Sequence, residues 1–154
     1  TSGIVQGMRP LMSYNYGAKL KERMHQILKV SGLVIAAILG AGTLLFFIVP
    51  NVLLSLFNAS SGMLEIGETG LRILSLSFIV SSFGVLMSGV FEALGLGKYS
   101  LIVSLLRQLL ITVPLAYILL NIMGIEGIWL SFVIAEAIAS IVAYILYRKK
   151  FKTI

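Results

Sequence analysis

Cysteine is absent from this chain, which excludes disulfides and thiolate metal centres and leaves the redox compartment open. Aspartate is missing too, since all six acidic residues are glutamates. The single histidine, His25, sits in a lysine-rich stretch with no second ligand beside it, so it reads as a solvated side chain. One histidine without cysteine or aspartate cannot furnish a Ser-His-Asp triad, a Cys-His pair or a zinc set. No enzyme, no metal site and no cofactor is therefore expected. Charge is also scarce, at 12% of residues where a soluble domain carries about 25%. The segment Gly95-Leu96-Gly97-Lys98-Tyr99 fails as a phosphate loop, because it lacks the Ser or Thr after the lysine and has Glu92 where a glycine belongs. No signal peptide is visible.

Apolar residues fill the space that charge leaves: 58% of the 154 residues, with a mean hydropathy of +1.03. They gather in four runs at 30–49, 73–91, 101–123 and 128–147. Crossing a hydrocarbon core of about 30 Å takes roughly 20 helical residues, so each run approaches or exceeds a membrane span. The fold class expected is all-α and integral to the membrane, as one transmembrane region over residues 1–154. Residues 1–17 are too short and polar to span and read as the end of a truncated helix. Ala18–Lys29 forms a basic helical lead into the first span, which stops at Pro50 because proline lacks the amide. Asn51–Phe57 reads as an interfacial turn, Asn58–Gly70 as an acidic loop, Gly95–Lys98 and Asn121–Gly127 as turns, and Pro114 as a kink within the third span. Asn58-Ala59-Ser60 is formally a glycosylation sequon, of consequence only in a eukaryotic host.

The net charge of +6 could suggest nucleic acid, but the charges lie between and beyond the spans, where anionic lipid headgroups are the better partner. Lys19, Lys21, Arg23, Lys29, Lys98, Arg148, Lys149, Lys150 and Lys152 all fall on one side if the spans alternate. The opposite loops hold Glu65, Glu68 and Glu126, with only Arg72 near their edge. The basic side is therefore expected to be cytoplasmic, with residues 148–154 as a cytoplasmic tail.

Two ionisable residues fall well inside spans. Arg107 lies about 12 Å along the third span and Glu136 near the middle of the fourth. Each costs on the order of 3 kcal/mol there unless it is paired or hydrated, so each should face protein or water. Ser104, Gln108 and Thr112 recur every four residues beside Arg107, while Glu136, Ser140 and Tyr144 form a second polar stripe. Arg107, Gln108, Thr112 and Glu136 are thus candidates for a substrate or ion pathway; a structural pair that fixes helix register is the alternative. Glu92, near the cytoplasmic end of the second span, can reach headgroup water, and a structural role is the reading favoured for it over a pathway role. Ladders of small residues at Gly32, Ala36 and Gly40, at Gly84 and Ser88, and at Ala135, Ala139 and Ala143 predict close helix packing.

The string Gln6-Gly7-Met8-Arg9-Pro10, followed by Ser13-Tyr14-Asn15-Tyr16-Gly17-Ala18, resembles the end of the eighth helix of multidrug and toxic compound extrusion (MATE) transporters. Phe91-Glu92-Ala93-Leu94-Gly95 with Gly97-Lys98 is similar to the turn after their tenth helix. Leu105-Leu106-Arg107-Gln108 and Gly127-Ile128-Trp129 resemble the starts of helices eleven and twelve. The family-motif residues are then Gln6, Gly7, Pro10, Tyr14, Asn15, Tyr16 and Gly17.

The resemblance implies helices nine to twelve, and the end of eight, of the C-terminal six-helix lobe of a twelve-helix transporter. It further implies export of small cationic, amphipathic drug-like compounds in exchange for Na⁺ or H⁺, from a bacterial inner membrane. The absent N-terminal part would be the chain's main partner, and the chain alone should be inactive. The acidic residue that some members carry inside helix ten has no counterpart in Ser81–Ser88, so the coupling cation stays unassigned. A lipid or polysaccharide flippase of the same superfamily, or a small structural four-helix membrane protein, remain as alternatives.

Overall fold

The structure is a computed structural model that describes residues 1–57 and 60–151, without the side chains of Ser61, Glu65 and Phe151. Asn58 of the sequon and Lys152 of the tail fall outside the described residues. The chain runs α1 (Ser2–Gly17), α2 (Lys21–Ile48), α3 (Pro50–Ser55), α4 (Ser61–Ala93), α5 (Gly97–Leu105), a π-helical turn (Leu106–Leu110), α6 (Thr112–Met123) and α7 (Ile125–Phe151), with no strand among the described residues. Four helical stretches are long and apolar enough to cross a membrane: Lys21–Ile48, Gly62–Ala93, Gly97–Met123 and Ile125–Lys150.

Turn chemistry sets the two reversals at the basic end. α4 stops in a Schellman motif: Gly95 takes φ +71°, its amide donates to the Glu92 carbonyl at 3.1 Å, and the Leu96 amide donates to the Phe91 carbonyl at 2.7 Å. α1 ends the same way, with the Leu20 amide on the Asn15 carbonyl at 2.9 Å and the Lys19 amide on the Tyr16 carbonyl at 3.0 Å. There the left-handed position is held by Lys19, at φ 57°, rather than by a glycine.

Four expectations change. The acidic segment is helical from Ser61 onward, and Glu68 pairs with Arg72 at 2.8 Å one turn along. Polarity there does not end the helix, because side chains beyond the hydrocarbon are free to meet water. Asn51–Phe57 contains a short helix, α3, which starts with proline at its first position, where no amide is needed. The turn read at Asn121–Gly127 shrinks to Gly124, at φ +69°. In the third span, the irregularity lies at Leu106–Leu110, upstream of Pro114, which occupies the first turn of α6. A proline ring crowds the carbonyl four residues back, here Leu110, so the distortion falls on the preceding turn.

Small side chains let the helices close on one another. Ala135, Ala139 and Ala143 are completely buried along α7. A Cβ on Gly127 would come within 2.3 Å of the Leu119 carbonyl oxygen, so α6 and α7 cross backbone to backbone. Hydroxyls add bonds between helices: Ser140 donates to the Val80 carbonyl at 3.0 Å, Ser13 to that of Ala93 at 2.6 Å, and Thr43 lies 2.9 Å from that of Ser75. The ladder on α2 is engaged only in part. Gly32 faces Leu86, whereas Ala36 is exposed and a Cβ on Gly40 would meet nothing within 4 Å. α2 turns Ile35, Leu39 and Thr43 inward instead, a stripe spaced every four residues.

Candidate functional site

The π-helical turn puts Arg107 where it can cross to α7. The extra residue widens the turn, so that the Ile111 amide reaches back five residues to the Leu106 carbonyl at 3.0 Å. Thr112, buried at the start of α6, donates its hydroxyl to the Arg107 carbonyl and so holds a backbone oxygen that the regular ladder would have bonded. The Arg107 Nε lies 3.6 Å from Glu136 Oε1, with both side chains less than one-fifth exposed. At an effective dielectric of roughly 20, this separation gives an attraction of about 4–5 kcal/mol, comparable to the cost of holding the two charges within a span. The second oxygen, Glu136 Oε2, is buried and bonded to nothing among the described residues.

Arg107 also faces a cavity of about 250 Å³ between α1, α4 and α5, whose polar wall includes Gln6, Arg9, Ser88, Glu92 and Ser104. Across it, Arg9 pairs closely with Glu92, and Ser100 donates to Glu92 Oε1 at 2.8 Å. Glu92 thus ties α1, α4 and α5 together, a structural role whose two partners the sequence did not name. Arg9 and Ser100 lie 83 and 8 positions from Glu92, and no local pattern links the first of these.

The candidate residues separate. Arg107 and Glu136 meet, and Thr112 braces the backbone beneath Arg107. Gln108 lies on an exposed face and joins neither the pair nor the cavity. Among the motif residues, Gln6 lines the cavity and Asn15 is buried, its amide donating to the Leu11 carbonyl at 2.8 Å. Tyr16 packs on the core and, with Gly17, Lys19, Lys21 and Met24, lines a second cavity of about 410 Å³. Gly7, Pro10 and Tyr14 are exposed. No cluster of three potential metal ligands occurs among the described residues.

The fold and site define a bundle of membrane-spanning helices with a half-buried charged pair between two of them, the architecture of a polytopic membrane protein. Residues 1–118 match the MatE family model, more than half of the chain, and the chain belongs to that family. It is 26% identical over 144 residues to the multidrug export protein MepA of Staphylococcus saprophyticus, covering 94% of this chain and 32% of that protein. Its backbone is similar to an inward-facing multidrug resistance MATE transporter, with a TM-score of 0.90 and 22% identity, over 97% of this chain and 35% of the other. It is similar also to the MATE multidrug transporter DinF-BH, with a TM-score of 0.86 and 32% identity, over 96% and 33% of the two chains. The chain thus spans about a third of the length of the relatives it matches.

Proposed function

We propose that this chain is the C-terminal part of a multidrug efflux antiporter, which exports cationic amphipathic compounds from a bacterial cell in exchange for Na⁺ or H⁺. The observation that carries this reading is the Arg107–Glu136 pair, half-buried within two spans of a MatE-family bundle, with Arg107 bordering a polar cavity. Ionisable groups at that depth are costly, and their common use is in ion and substrate pathways. The multidrug export activity of the matched relatives supports the same assignment.

In this reading, Glu136 offers an unshared oxygen to an entering cation, while Arg107 limits the negative charge left when the cation departs. Thr112 holds the π turn that aims Arg107, and Gln108 stands on an exposed face beyond the pair. The basic end, where Lys98 and Lys150 lie, is cytoplasmic. Separated from the rest of the protein, the chain has a single partial lobe and does not transport.

Everted membrane vesicles containing the full-length protein test the coupling. A cationic dye should move when a proton or sodium gradient is imposed and stop when both are collapsed. Transport that persists without either gradient would refute the antiport.

A further inference from the structure

Two ammonium groups converge on one ring at the basic end of the bundle. Lys98 Nζ, at the start of α5, lies 5.9 Å from the Tyr99 ring centroid, and Lys150 Nζ, near the end of α7, lies 5.5 Å from it. The ring's quadrupole attracts each cation, so two like charges are gathered around one aromatic side chain. Neither lysine has a carboxylate partner among the described residues, and the nearby Glu92 is already held by Arg9 and Ser100. Membrane-ward of Lys98, the exposed Leu101, Ile102 and Leu105 follow at helical spacing along one face of α5. A cationic head site is thereby continuous with an apolar track.

We propose that Lys98, Lys150 and Tyr99 bind the phosphate of an anionic phospholipid, whose acyl chain lies along Leu101, Ile102 and Leu105. A phosphate drawn to this pair of lysines offsets their positive charge, takes charge-assisted hydrogen bonds from ammonium donors and leaves the tyrosine at headgroup depth. A lipid is favoured over free phosphate because only a lipid uses the apolar track. The site rests on reading this end of the bundle as a membrane–water interface, but it requires no transport activity.

The test is binding of phosphatidylglycerol to the delipidated full-length protein, followed by native mass spectrometry, with phosphatidylcholine and inorganic phosphate as comparison probes. The double variant K98A/K150A should weaken phosphatidylglycerol binding about tenfold or more, since each lysine near an anionic surface contributes a factor of about five. K98R/K150R should retain most of it. K19A/K21A, which removes as much charge from the turn between α1 and α2, should change it less than about twofold. Equal losses in the two alanine doubles would reduce the site to diffuse surface attraction and overturn the proposal. Unchanged binding in K98A/K150A, phosphatidylcholine binding as tight as phosphatidylglycerol, or displacement by millimolar phosphate would overturn it as well. Melting of each variant in phosphatidylcholine verifies that it is folded. Loss of lipid binding with dye transport intact, or the reverse, separates this proposal from the transport assignment.

Discussion

Thr112 and Arg107 are joined through the backbone: the threonine hydroxyl donates to the arginine carbonyl five residues earlier, across the π-helical turn. The geometry that turns Arg107 toward Glu136 is therefore held by a residue that touches neither charge.

Thr112→Val keeps the shape and removes that bond. It should cost about 1 kcal/mol of stability, the net worth of a typical hydrogen bond. Thr112→Ser keeps the hydroxyl and should cost less. Thermal unfolding of the purified variants measures both, and equal losses would place the effect in packing rather than in the bond.

Glycine substitutions should grade by what the new Cβ meets. At Gly127 the obstacle is the Leu119 backbone, at 2.3 Å from the oxygen and 2.5 Å from the carbon, whereas at Gly70 it is the Trp129 ring at 2.9 Å. A side chain has more freedom to yield than a backbone, so Gly127→Ala should destabilise by about 3 kcal/mol or more and Gly70→Ala by less. Melting temperatures in one detergent give the ranking, and the reverse order would contradict the α6–α7 crossing.

Lys19 occupies a left-handed conformation that glycine adopts at no steric cost. Lys19→Gly should therefore leave stability unchanged or raise it by up to about 1 kcal/mol, and Lys19→Val should lower it. Thermal unfolding again decides, with a clear loss in the glycine variant as the contrary result.

The Arg9–Glu92 pair is well placed, but its side chains are 41% and 37% exposed. Arg9→Ala should cost no more than about 1 kcal/mol, as is usual for solvated ion pairs. Its larger consequence should be looser attachment of α1, seen as faster amide exchange in Ser2–Gly17 with little change in α7.

Much of the fold is legible in the sequence because a bilayer imposes a length on each span, and runs of about twenty apolar residues stand out. Pro50 marks the end of α2 for a local reason, and the fully buried Ala135–Ala139–Ala143 stripe follows from side-chain size. The family is legible from short motifs in order. The helical acidic segment is less so, since polarity signals exposure to water and not the end of a helix. The π turn is hidden for a different reason: Pro114 signals a disturbance but not on which side of itself it falls. That one added residue also separates Gln108 from Thr112, which a regular helix would have kept on one stripe. Arg9, Glu92 and Ser100 meet only through tertiary packing. In contrast, Arg107 and Glu136 could be paired by burial cost alone, as the two ionisable residues deep in apolar runs.

The central claim, that this pair works in efflux rather than merely fixing helix register, is tested by dye efflux from cells expressing the full-length protein with Arg107→Ala, Glu136→Gln or the exchanged pair R107E/E136R. Each single variant should lower efflux at least about tenfold at normal membrane abundance, and exchanging the charges should restore abundance without restoring efflux. Undiminished efflux in Glu136→Gln, or full recovery in the exchanged pair, would contradict the claim.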